Sequence, residues 1–211
     1  MSESSSNGRM ICLEGGEGAG KSTAVEVVRD WLEQRGRRVR ITREPGGTPV
    51  AERIRELLLD PATGEIDPLT ELLMMFAARR ENVVEVIQPT LVEGIDVICD
   101  RFTDASFAYQ GGGRQLGPTP VAALAELVHP ELLPDLVLLL DVPVEVGLAR
   151  ARGRSGAPDR FEGSRREFLE RVRQAYLERA ARAPGRYAVI DASRTQAQVA
   201  EAICAALEAR L

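Results

Sequence analysis

Five short apolar runs punctuate the chain, at Met10–Leu13, Val39–Thr42, Asp96–Cys99, Leu136–Leu140 and Tyr187–Ile190. Their apolar residues are continuous rather than alternating, which is the pattern of strands covered on both faces in a parallel sheet. Between them lie helix-like segments at Ser22–Gln34, Val50–Leu59, Leu69–Val92, Thr119–Val128, Val144–Ala151, Arg165–Ala183 and Gln196–Leu211. Gly36 supplies a stop for the first of these, and Pro143 a start for the one after the fourth strand. Strands alternating with helices predict an α/β fold with right-handed crossovers, its helices layered on both faces of the sheet. Two loops are rich in glycine and arginine: "AYQGGGRQLGPTP" after the third strand and "ARARGRSGAPDRFEG" after the fourth. Ligands of open α/β sheets gather at the carboxyl ends of the strands, so both loops are expected to face a site.

The length of 211 residues suits one domain, expected at 9–211, with residues 1–8 as a flexible polar tail. A formal charge of −5 argues against a protein that coats nucleic acid. Neither a secretory signal nor a membrane-spanning run is visible, so a cytoplasmic protein with no membrane partner is expected. Cys12, Cys99 and Cys204 lie far apart without metal-ligand spacing and read as buried thiols. The single histidine, His129, sits at a predicted helix end, which leaves little room for His-based triads or metal sites.

Charge becomes informative in one place. Lys21 is the only lysine among the 27 Lys and Arg residues, and it stands in Gly15-Gly16-Glu17-Gly18-Ala19-Gly20-Lys21-Ser22-Thr23. This matches G-x-x-x-x-G-K-[ST], between a predicted strand and a predicted helix, as a phosphate-binding P-loop requires. Glycines let successive backbone N–H groups turn inward around phosphate oxygens, and the helix presents its positive end to the same anion. Lys21 would reach the β and γ phosphates of ATP and the Ser22 hydroxyl would ligate Mg²⁺. A flexible stem carrying a point charge suits such a loop better than the planar fork of arginine.

Further clusters narrow the chemistry. Asp100, closing the third strand, stands where a carboxylate would lie near Mg²⁺, with Arg101 beside it; an exposed Asp-Arg pair at a strand end would look the same. Arg43 in "TREPGGT" can clamp a phosphate, while Pro45-Gly46-Gly47 makes a tight turn. No second lysine exists to build the Asn-Lys-x-Asp element of guanine-specific GTPases.

Taken together, "EGGEGAGKST", "TREPGGT", "LLMMFAARRE", "DRFTDASFAYQGGGR" and "DLVLLLDVPVEVGLARARGR…DRFE" resemble bacterial thymidylate kinases in order and spacing. The resemblance implies a P-loop NTPase fold of three α/β/α layers around a five-stranded parallel sheet, ATP and dTMP as substrates, Mg²⁺ and a homodimer. It further implies that Arg101 and Arg43 hold the acceptor phosphate and that Glu17 meets the acceptor sugar. The base is implied to lie against the helix of Met75, Phe76 and Arg79 and the loop of Ser106, Tyr109 and Gln110, near Pro45. An aromatic ring four residues before an arginine is the family pattern for base stacking. With Arg79 that position is Met75, and with Arg80 it is Phe76. Gly18 replaces the P-loop arginine of some relatives, so catalytic arginines are expected from a lid at about 150–163, with Arg154 first and Arg150 and Arg152 as neighbours. The remaining alternatives are another P-loop nucleoside or nucleotide kinase and a non-catalytic nucleotide-binding protein.

Overall fold

The structure, a computed structural model, describes residues 8–155 and 162–211, with side chains at 8–151 and 165–211. Each of the five apolar runs forms a strand: β1 (Met10–Gly15), β2 (Val39–Arg43), β3 (Asp96–Asp100), β4 (Leu136–Asp141) and β5 (Tyr187–Asp191). All pair in parallel in the order β2-β3-β1-β4-β5, with β1 at the centre. Successive side chains of β1 point to opposite faces, so both faces must be apolar. Ile11 and Leu13 pack with Val28, Ile203 and Leu207 on one side. Met10 and Cys12 pack with Ile87, Val172 and Tyr176 on the other.

The helices are α1 (Lys21–Glu33), α2 (Pro49–Leu59), α3 (Pro68–Asn82), α4 (Gln88–Val92), α5 (Thr103–Ser106), α6 (Pro118–Val128), α7 (Val144–Ser155), α8 (Glu162–Arg182) and α9 (Gln196–Arg210). Their starts follow local chemistry. Thr48 caps α2 just before Pro49, Asp67 caps α3 just before Pro68, and Thr195 with Gln198 forms a reciprocal capping box on α9.

Two segments depart from the sequence reading. The single helix expected over Leu69–Val92 is α3 and α4 joined through a π-helical stretch at Val83–Ile87. The loop expected after the third strand, from Ala108, instead opens within a π-helix at Phe107–Gly113 that follows directly on α5. A π turn inserts a residue without breaking the apolar face, so periodicity does not register it, and the three glycines that end the second stretch read as loop. The polar tail is also shorter than expected at its inner end, because the Gly8 amide donates to the Leu91 carbonyl at 2.8 Å.

His129 follows α6 and is buried, its Nε2 2.8 Å from Thr103 Oγ1 and its ring parallel to that of Phe76 at 6.3 Å. Burial, assisted by the Arg79 charge, brings its pKa down to about 4. It is a buried residue just past the end of α6. Cys12 and Cys99 are fully buried neighbours in the β1–β3 register.

Candidate active site

The loop from Gly15 to Gly20 joins central strand β1 to α1, and Gly15, Gly18 and Gly20 adopt positive φ of 143°, 71° and 87°. A side chain at Gly15 would meet both that backbone angle and the Leu140 carbonyl oxygen 2.5 Å away, so only glycine serves there. Unlike α2, α3 and α9, α1 receives no side-chain cap. Its first amide groups are left for an anion, and the helix dipole favours one. Beside the loop a cleft of ≈ 520 Å³ is lined by Gly18, Ala19, Gly20, Thr23, Arg150 and the Ala192–Gln196 segment that follows β5. Arg150 donates to the carbonyls of Ala192 and Ser193 at 2.7 and 3.3 Å. It therefore forms part of the wall of this cleft. The side chains of Arg152 and Arg154 lie outside the described residues.

A second cleft, of ≈ 370 Å³, brings Ser22 and Asp100 together with Arg43 and Glu52. Asp100 Oδ1 is buried and has no hydrogen-bond partner among the described residues. No cluster of three or more His, Cys, Asp or Glu suited to a metal occurs among the described residues. A hydroxyl and one orphaned carboxylate oxygen fit Mg²⁺, which keeps most of its ligands as waters and substrate phosphates. Arg43 is more than half exposed and pairs with Glu52 at 2.9 Å, while the other oxygen of Glu52 accepts from the Gly47 amide.

The third cleft, of ≈ 360 Å³, is lined by Pro45, Arg55, Glu71, Met75, Arg101, Tyr109, Gln110, Arg114 and Phe168 among others. Arg101 enters it from the end of β3 with φ 71°, its guanidinium donating to the hydroxyls of Tyr176 and Tyr109 at 3.0 Å each. Arg79 is fully buried behind the wall. Its Nε donates to Glu44 Oε2 at 2.6 Å and its Nη2 to the Phe102 carbonyl and Ser106 Oγ at 3.1 Å, leaving Nη1 without a partner among the described residues. Burial pushes the Glu44 carboxyl above its ordinary range despite the opposing pull of Arg79. Gln110 donates to Glu71 Oε1 at 2.7 Å, and its own Oε1 is buried and unpaired.

A family model described as thymidylate kinase matches residues 13–203. The chain belongs to the thymidylate kinase family. It is 57% identical over 205 residues to the thymidylate kinase of Chromohalobacter salexigens, 97% of each chain being covered. It is 56% identical over 204 residues to that of Ectopseudomonas mendocina, again with 97% of each covered. A crystal structure of thymidylate kinase from Ehrlichia chaffeensis matches with a TM-score of 0.78 at 31% identity, over 96% of this chain and 99% of that one. The family resemblance carried by the five motifs, and the three-layer P-loop fold it implied, are both borne out. No helix among the described residues is long and apolar enough to cross a membrane.

Within this thymidylate kinase fold the expected residues do not all fall in one place. Gly18, Ala19, Gly20 and Thr23 line the first cleft, Ser22 and Asp100 share the middle cleft, and Pro45, Met75, Arg101, Tyr109 and Gln110 line the third. Arg43 lies in the middle cleft rather than the third. Phe76, Arg79 and Ser106 are buried and line no part of the third cleft: Phe76 packs with Leu72 and Val121, and the Arg79 guanidinium lies 4.4 Å from its ring centroid. Arg80 is exposed and donates to the Val128 carbonyl. Glu17 forms an ion pair with Arg165 of α8, at 2.7 Å. Arg55, Glu71, Arg114 and Phe168 were missed. For Arg55 the signal was available, because it follows "TREPGGT" within the next two turns of helix. Arg53, two residues earlier on the same helix, is exposed and lines none of the three clefts.

Proposed function

We propose that this chain transfers the γ-phosphoryl group of ATP to dTMP, giving dTDP and ADP. The observation that carries this reading is the arrangement of the three clefts along the carboxyl edge of one sheet. An uncapped helix start and Lys21 lie on one side, arginines lie on the other, and Ser22 and Asp100 stand between them. ATP occupies the glycine loop and the cleft of Arg150. The acceptor nucleotide occupies the third cleft, with its phosphate on Arg101 and Arg55, Arg43 at the border, and its base against Met75, Tyr109 and Phe168. The unpaired Gln110 Oε1, in the wall of that cleft, suits the N–H of a thymine ring, and Arg79 holds the wall from behind. Glu17 serves the sugar side. Ser22 and the Asp100 carboxylate would hold Mg²⁺, which would supply neutralisation of the phosphate charge.

The same reading assigns residues 9–211 to one kinase domain, with 150–163 as a lid bringing arginines to the transferring group, Arg154 foremost. A homodimer is also proposed, because Leu69 and Leu73 of α3 and Leu127 of neighbouring α6 are largely exposed and would be covered in it. The reaction belongs to the cytoplasm. A coupled ADP-release assay with ATP, Mg²⁺ and each nucleoside monophosphate in turn tests the activity. Turnover that is highest with dTMP is expected, and turnover with another monophosphate alone would overturn the substrate assignment.

A further inference from the structure

Glu14 is the last residue of β1 before the P-loop glycines, it is fully buried, and its carboxylate belongs to no part of the chemistry above. Its Oε1 accepts from the Phe102 amide at 2.7 Å, and its Oε2 accepts from the Tyr176 hydroxyl at 2.7 Å. The Tyr176 oxygen in turn accepts from Arg101 Nη1. One carboxylate thus fastens the backbone immediately after Arg101 and, through one hydroxyl, the guanidinium itself. Arg101 needs such fastening. A long side chain at φ 71° occupies the left-handed region, which is strained for any residue but glycine and sustained only where the surroundings dictate it. Two further bonds hold its backbone: its own amide donates to the Leu13 carbonyl, one residue before Glu14, and its carbonyl accepts from the Cys99 thiol.

We propose that Glu14 is a positioning residue for the acceptor phosphate, acting through Tyr176 and the Phe102 amide to hold Arg101 in its strained conformation. This rests on the reading of Arg101 as a phosphate ligand. It adds that the strand carrying the donor loop also aims the acceptor arginine. Burying a carboxylate with two short hydrogen bonds costs much and returns little as packing alone, whereas aiming a guanidinium fixes where a phosphoryl acceptor sits.

Steady-state constants for dTMP and ATP are to be measured on Arg101→Ala, Glu14→Ala, Glu14→Gln, Tyr176→Phe and the double variant Arg101→Ala/Tyr176→Phe, each checked for folding by circular dichroism. Tyr176→Phe and Glu14→Ala are expected to raise KM for dTMP about tenfold, the value of one lost charge-assisted bond, with KM for ATP unchanged within about twofold. Glu14→Gln keeps the acceptor for Phe102 and can donate to the Tyr176 oxygen, so it should stay within about threefold of the parent. Tyr176→Phe should have no further effect once Arg101 is alanine. If Glu14→Ala does not fold, Tyr176→Phe and the double variant decide. If Arg101→Ala raises KM for dTMP while folded Tyr176→Phe leaves it unchanged, or raises both KM values alike, the positioning role is wrong and the reading of Arg101 stands. If Arg101→Ala itself leaves KM for dTMP unchanged, the phosphate assignment falls and the positioning role with it.

Discussion

Gly18 of the phosphate loop and Gly147 of α7 meet backbone to backbone. A Cβ on Gly18 would lie 2.1 Å from the Gly147 carbonyl oxygen, and one on Gly147 would lie 2.4 Å from the carbonyl oxygen of Glu17. The contact joins the donor loop to the helix that leads into the segment proposed as the lid. Gly147 sits at an ordinary helical angle, so a substitution there acts through the clash alone. Gly147→Ala is expected to push the loop away, costing about 1–3 kcal/mol in stability and raising KM for ATP while KM for dTMP stays near the parent value. Thermal unfolding and steady-state kinetics check both halves.

Lys21 should be indispensable to turnover and dispensable to folding. Positioning and charge stabilisation dominate phosphoryl transfer, and removing one such donor costs roughly 10²–10³ in rate. Lys21→Ala is therefore expected to lose at least about 10²-fold in kcat with its circular dichroism and melting curve little changed. A folded variant of near-normal turnover would sink the assignment.

Arg55 and Arg43 should separate. Arg55 lines the acceptor cleft and donates to the Pro45 carbonyl at 2.8 Å, whereas Arg43 is tied to Glu52 in the middle cleft. Arg55→Ala is expected to weaken dTMP binding about tenfold or more with ATP binding preserved. Arg43→Ala should have the smaller effect on dTMP. Calorimetric titration of each variant with each nucleotide distinguishes them, and equal losses for both nucleotides on Arg55→Ala would place that residue elsewhere.

The buried His129 sets an acid limit. Its pKa is near 4 in the folded chain and 6.5 when free, so the folded state binds the proton more weakly. Its contribution to stability is complete above pH 6.5 and is lost as pH falls towards 4, by roughly 3 kcal/mol across that window. Urea unfolding of the parent and His129→Gln between pH 4 and 7 should show a shallower decline in the variant. Parallel curves would disprove the linkage. Glu14, with its carboxyl raised to about 7 chiefly by burial, titrates in the opposite sense, and comparing parent with variant cancels its part.

The strands and the glycine loop were legible in the sequence because each answers to a local rule: continuous apolar residues for strands buried on both faces, and a fixed spacing for the phosphate loop. Arg101 drew notice because it directly follows one of those strands. Met75 and Phe76 were not separable, since α3 is apolar on more than one side and only its phase in the fold puts Met75 on the cleft and Phe76 in the core. Arg53 and Arg55 pose the same problem on α2. The pairing of Glu17 with Arg165 spans 148 residues, and that of Glu14 with Tyr176 spans 162. No local pattern announces a bond between residues so far apart, because it exists only once the sheet and α8 have been assembled.

Leu13 and Asp100 are register partners in the β1–β3 pair, so the loop on β1 and the arginine after β3 are anchored on adjacent rungs of one hydrogen-bonded ladder, about 4.8 Å apart. Any error in the spacing between the two nucleotides is then set by the stiffness of the ladder and not by a hinge. In the proposed reading, substrate choice resides by contrast in detachable walls contributed by α2, α3, the π-helical turn after α5 and α8. An engineer seeking a different acceptor base could exchange those walls and leave the distance over which the phosphoryl group travels untouched.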